Sequence, residues 1–141
     1  DLARLHVWVI DDDETVCLAM QMLLHSWGCL CRTATSAQEV LTRVQLDICA
    51  GDSDWPQQQA PDVIITDFRL RHEQTGRQVL EALRGHWGSH IAAIILTGDT
   101  SPQRLRDAQS TAALLLHKPV SSCELREAIA SLLTPSAAAA A

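Results

Sequence analysis

No apolar run in this 141-residue sequence is longer than a few residues, so no segment is long enough to span a bilayer as a helix. The N-terminus also lacks a basic segment followed by a long apolar stretch, the mark of a secretory signal, and a cytoplasmic location is expected. Basic residues are sparse. Lys and Arg number 11 against 17 Asp and Glu, the formal net charge is -6, and Arg69, Arg71 and Arg77 are scattered rather than clustered. That balance argues against direct nucleic-acid contact by this domain, just as the short apolar runs argue against membrane contact. Paired cysteines are missing too. Cys17, Cys29, Cys31, Cys49 and Cys123 are odd in number and form no CxxC sets, which favours reduced thiols over a disulfide framework or a zinc site. Cys29 and Cys31 are expected to share one strand face as small core hydrophobes.

What is present is the composition of one globular domain, 47% hydrophobic and 20% charged, at a length that supports a single core. The chain starts at Asp1 without Met, and Ala137 to Ala141 is low-complexity. An excerpt from a longer protein is expected, with one domain over 1–134 and an Ala-rich tail or linker over 135–141.

Short β-branched runs alternate five times with amphipathic segments, the rhythm of a parallel sheet covered by helices. His6 to Ile10 predicts the first strand. Val16, Ala19, Met20, Leu23, Leu24 and Trp27 recur at helical spacing until Gly28 ends the helix. Cys29 to Ala34 predicts the second strand, and Ser36 with Glu39 a capping box for a helix burying Ala37, Val40, Leu41 and Val44. Residues 47–61 are turn-rich and predict a long loop. Asp62 to Thr66 then predicts the third strand, and a helix from about Thr75 buries Val79, Leu80 and Leu83. Ile91 to Thr97 has the near-continuous apolarity of a strand covered on both faces. Ser101 and Pro102 open a fourth helix, Ala113 to His117 is the fifth strand, and Ser121 with Glu124 caps a last helix burying Leu125, Ala128, Ile129, Leu132 and Leu133. Trp8, Trp27 and Trp87 are expected to pack in or near the core.

The informative polar residues fall at strand ends: Asp11 and Asp12, Asp67, Thr97 and Lys118. Open α/β sheets bind ligands at the carboxyl ends of their strands, where strand order reverses. In the flavodoxin-like order 2-1-3-4-5 the second strand, which has no such residue, is the edge. Three carboxylates held together repel one another, and a hard divalent cation such as Mg²⁺ would resolve that cost. A carboxylate can attack phosphorus to give an aspartyl phosphate. Lys118 would bring a compact positive charge to the phosphoryl oxygens, and the Thr97 hydroxyl a hydrogen bond.

DDDE after the first strand, VIITD, LTG after the fourth strand and HKP after the fifth, taken in order, resemble the response-regulator receiver family over about Leu5 to Leu133. The resemblance implies a (βα)5 three-layer sandwich around a parallel five-stranded sheet. It implies that Asp67 is the phosphoacceptor, that Asp11, Asp12, Asp67 and the backbone carbonyl of Arg69 hold Mg²⁺, and that Thr97 and Lys118 contact the phosphoryl group. The donor it implies is a histidine kinase or a histidine phosphotransfer protein, and it leaves room for a homodimer. Such a domain catalyses its own phosphorylation and dephosphorylation and is not a stand-alone enzyme. Asp67-Phe68-Arg69-Leu70, Thr75-Gly76, TGDTSPQRLRDA and LLLHKPV are further similar to receivers attached to hybrid sensor histidine kinases.

The sequence also departs from the family pattern. The aromatic usual in the fifth strand is replaced by Leu115, there is no Tyr at all, and Arg71, His72, Glu73 and Gln74 replace the usual Pro and Gly after the acceptor. Altered mobility of that loop is expected. Arg69 and Asp99, two residues beyond Asp67 and Thr97, are placed to pair or to gate water. His86 and His90 have helical metal spacing but no third ligand, and His117 reads as a strand-end residue near the site. A rival class is a haloacid-dehalogenase-like phosphatase, because Asp11-x-Asp13-x-Thr15-Val16 fits that family's signature, with Asp11 as nucleophile and Asp13 as acid/base. It leaves Asp67 unexplained.

Overall fold

The structure is a computed structural model and describes residues 4–45, 60–68, 75–88, 91–98, 113–118 and 120–133. Most of the predicted loop over 47–61, residues 71–74, the helix start at Ser101 and Pro102, and the 135–141 tail lie outside these residues, as do Cys49, His90 and the side chains of Val44 and Leu133. Within them the chain runs β1 (His6–Ile10), α1 (Glu14–Ser26), β2 (Leu30–Ala34), α2 (Ala37–Gln45), β3 (Val63–Asp67), α3 (Gly76–Trp87), β4 (Ala92–Thr97), β5 (Leu114–His117) and α4 (Ser122–Leu133). The strands form one sheet in the order β2-β1-β3-β4-β5, with every pairing parallel. The expected flavodoxin-like fold is therefore the observed one. Among the described residues, no helix is long and apolar enough to cross a membrane.

Strand side chains alternate between two cores, because successive residues point to opposite sheet faces. Trp8, Ile10, Ile64 and Ile95 pack under α2 and α3 with Val40, Val79, Leu80 and Leu83. Val7, Val9, Val63, Ile65 and Ile94 pack under α1 and α4 with Leu24, Leu125, Ala128 and Ile129. Coverage of both faces is why these strands are nearly uninterrupted in apolar residues. Trp8 is fully buried, Trp27 and Trp87 pack at the core margins, and Cys29 and Cys31 are buried free thiols.

Local chemistry sets the helix ends. Asp13 caps α1 by accepting the Thr15 N–H at 2.9 Å. Gly28 then takes a φ of 86°, the left-handed turn in which glycine carries no steric penalty. At α3, Thr75 and Gln78 form a reciprocal capping box.

β4 and β5 each begin one residue later than predicted, at Ala92 and Leu114, and four further expectations need correction. β3 begins and ends one residue later than predicted, so Asp67 is its last residue, while Asp62 instead accepts the His6 N–H at its carboxylate, 2.8 Å away. β2 starts at Leu30, because the Cys29 N–H is already committed to closing α1 on the Leu24 carbonyl. Ala19 is exposed and Cys17 buried in its place. Two residues of helix turn the chain by about 200°, so both cannot face the sheet. Finally, the Ser36 hydroxyl accepts the Glu39 N–H, but the Glu39 carboxylate reaches past Ser36 to the Thr35 N–H and hydroxyl, at 2.6 and 3.0 Å. From there it pairs with Arg43, whose other nitrogen donates to the Thr33 carbonyl at 2.7 Å. That last bond caps a main-chain acceptor of the edge strand β2, which blunts the edge against pairing with another chain.

Candidate functional site

Parallel strands all end on the same side, and that geometry collects residues distant in sequence. Asp11 and Asp12 leave β1, Asp67 ends β3, Thr97 ends β4, and Lys118 follows β5. Asp11, Asp12 and Asp67 each offer a carboxylate oxygen within 4.8 Å of the other two. The Lys118 Nζ lies 2.7 Å from Asp67 Oδ1, with Asp67 mostly buried and Lys118 partly open to solvent. The Lys118 N–H donates to the Thr97 carbonyl at 2.7 Å, so the turn carrying the ammonium is fastened to the end of β4.

Asp11 is only 3% exposed. Burial pushes its carboxyl up to about 6; the Asp13 N–H, 2.9 Å from Asp11 Oδ1, pulls it down, Asp67 pushes it up, Lys118 pulls it down and Asp12 pushes it up. Burial disfavours the Lys118 ammonium, but the hydrogen bond to Asp67 and the charges of Asp67, Asp11 and Asp12 outweigh it and raise its pKa above the ordinary value. Three carboxylates against one ammonium leave an excess of negative charge in a mostly buried place, and all the donors are oxygens. That set fits a hard divalent cation such as Mg²⁺, which is held by one or two carboxylates and keeps several waters.

The remaining predicted residues divide. Thr97 is buried at the end of β4, and His117, its register partner, is exposed. Leu115 is half-buried against the core under α2 and α3. Arg69, Asp99 and Pro119 lie outside the described residues. Asp13 stands apart from the acidic group, exposed and committed to capping α1. His86 is exposed with its ring edge-on to Trp87, and among the described residues the only cluster able to hold a metal is the three aspartates. Cys17 was not anticipated: its thiol donates to the Asp11 carbonyl at 3.3 Å and so supports the turn that carries the acids. One sequence signal for the site was available and unused, since Lys118 is the only lysine in the chain.

Residues 7–130 match the family model described as the response regulator receiver domain. The chain belongs to the response regulator receiver family. A receiver domain protein from Clostridium thermocellum is similar to this receiver at 30% identity, over 94% of each chain, with a TM-score of 0.72. Chemotaxis protein CheY4 of Vibrio cholerae shares the fold at 23% identity, over 93% of this chain and all (100%) of its own, with a TM-score of 0.76. A CheY-like receiver domain protein from Methanospirillum hungatei JF-1 also shares it, at 20% identity, over 93% of each chain, with a TM-score of 0.72. No curated protein sequence matches the chain. Membership of the receiver family displaces the dehalogenase-like alternative, whose acid/base, Asp13, is spent as a helix cap.

Proposed function

We propose that this receiver accepts a phosphoryl group from a phosphohistidine onto Asp67, as part of a two-component or phosphorelay system. The observation that carries the proposal is the convergence of Asp11, Asp12 and Asp67 with Lys118 at 2.7 Å from the Asp67 carboxylate. A carboxylate oxygen of Asp67 attacks phosphorus in line, the P–N bond to the donor imidazole breaks, and the imidazole leaves with the bonding pair. Lys118, already held beside Asp67, moves its charge onto the phosphoryl oxygens, and the Thr97 hydroxyl donates to one of them. Asp11, Asp12, Asp67 and the Arg69 carbonyl would hold Mg²⁺, which neutralises charge on the transferring group. Catalysis here is positioning and charge neutralisation. Hydrolysis of the acyl phosphate later resets the site.

The donor is a histidine kinase or histidine phosphotransfer protein, and the motif likeness favours a hybrid sensor kinase as the parent protein, in the cytoplasm. Phosphorylation biases a two-state rearrangement of the face from β4 to α4, and with Leu115 at the aromatic position this receiver transmits it without an aromatic rotamer change. Acetyl phosphate with Mg²⁺ tests the acceptor. Wild type should gain one phosphoryl group and Asp67→Asn none; undiminished labelling of the variant would sink the assignment.

A further inference from the structure

The carbonyl of Asp67 is enclosed by two residues that the proposed chemistry does not use. Thr66 is fully buried in β3, flanked by Ile10 of β1 and Ile95 of β4, and its hydroxyl donates to the Asp67 carbonyl at 3.0 Å. A buried hydroxyl in such a strand is costly without a partner, and a β-branched hydrocarbon would serve packing as well. Against the same carbonyl stands Gly76, the first residue of α3. A methyl group added there would meet the Asp67 carbonyl oxygen at 2.9 Å, the Thr66 Cγ2 at 3.2 Å and the Phe68 Cα at 3.4 Å. Gly76 is not among the positive-φ residues, so closeness to the acceptor's main chain, and not backbone conformation, is what requires glycine. The next residue is held as well: the Phe68 N–H donates to the Leu96 carbonyl at 2.8 Å, and the Gly76 N–H to the Phe68 carbonyl at 2.7 Å.

We propose that Thr66 and Gly76 are positioning residues that fix the main chain of Asp67, so that its carboxylate meets Asp11, Asp12 and Lys118 in one place. The carboxylate hangs from that main chain, and a cation shared by three acids tolerates little displacement of one of them. The inference rests on Asp67 as acceptor and on the acidic group as a Mg²⁺ site.

The test compares Thr66→Val, Thr66→Ser and Gly76→Ala with wild type in three measurements: Mg²⁺ titration of the unphosphorylated protein by isothermal calorimetry, labelling by acetyl phosphate, and the thermal midpoint without metal. Thr66→Val keeps the shape and removes only the hydroxyl. It should weaken Mg²⁺ binding about tenfold, as loss of an orienting partner does at other metal sites, while Thr66→Ser returns to within about twofold of wild type. Labelling should fall in parallel. Gly76→Ala should show the same loss together with a lower thermal midpoint; if it does not fold, the Thr66 pair decides alone. A Thr66→Val protein that loses thermal stability but binds Mg²⁺ and labels like wild type overturns the proposal. So does a Thr66→Ser protein no better than Thr66→Val. Failure of the underlying assignment looks different, because wild type itself would then take no label on Asp67.

Discussion

Replacing Asp11 by Asn should stabilise the metal-free receiver at neutral pH, although Asp11 is proposed as part of the metal site. Asn keeps the shape and the oxygen that accepts the Asp13 N–H at 2.9 Å, and removes a charge that the fold holds at a cost. Burial is the main cause of that cost, and it raises the Asp11 carboxyl from 3.8 to about 6. At about 1.4 kcal/mol per pH unit, the gap corresponds to about 3 kcal/mol at pH 7. The sign follows from proton counting. Between the two values the folded state binds more protons than the unfolded chain, so the stability that protonated Asp11 contributes is complete below 3.8 and is lost as pH rises through about 6. Asn carries no such loss. Its advantage should therefore be up to about 3 kcal/mol at pH 7 and about 1 kcal/mol at pH 4.5. At about 4 °C per kcal/mol for a domain of this size, the thermal midpoint in EDTA should rise by up to about 12 °C at pH 7. Circular-dichroism melts at the two pH values measure it. An Asn variant that is less stable than wild type at pH 7, or whose gain does not change with pH, would refute the account of Asp11 as a buried, charge-strained acid.

Protons and Mg²⁺ should compete at the same carboxylate. Below pH 6 the apparent Mg²⁺ affinity should fall, approaching tenfold per pH unit, and above it should level off; calorimetric titrations at pH 5, 6 and 7.5 check this, and a flat profile excludes Asp11 from the metal site. Lys118→Met should have opposite effects on two assays, slowing acetyl phosphate labelling about a hundredfold while tightening Mg²⁺ binding, because the ammonium that aids transfer also occupies Asp67 before the cation arrives. Equal losses in both would show that the ion pair is only structural. In the core under α3, Leu83 is fully buried, and Leu83→Ala should lower stability by about 2–5 kcal/mol in chemical denaturation without changing Mg²⁺ affinity.

The order of elements was legible in the sequence because its signals are local. Apolar runs covered on both faces become strands, and side-chain caps such as Thr75 and Ser121 mark helix starts within one turn. Candidate site residues were legible for the related reason that parallel strands must end on one side, so polar residues at the ends of β1, β3, β4 and β5 were bound to gather. Small errors arose where two local choices were nearly equivalent. Either Ala19 or Cys17 could have faced the sheet, β3 could have started at Asp62 or Val63, and Glu39 could have reached Ser36 or Thr35. For Cys17 and Asp62 contacts with distant parts of the chain made the choice, and for Glu39 the adjacent Thr35 and the Arg43 ion pair did.

Sequence alone thus determined the fold class and the identity of the acids, since these depend on periodicity and on which residues follow strands, while the strand order was implied by likeness to a known fold. Tertiary structure alone decided that three carboxylates approach within 4.8 Å, that Lys118 turns to Asp67 at 2.7 Å, and that Gly76 leaves no room for a methyl beside the Asp67 carbonyl. It also decided that Asp11 holds its proton up to about 6. Distance, desolvation and steric exclusion belong to residues packed together from separate elements, and no stretch of chain carries them by itself.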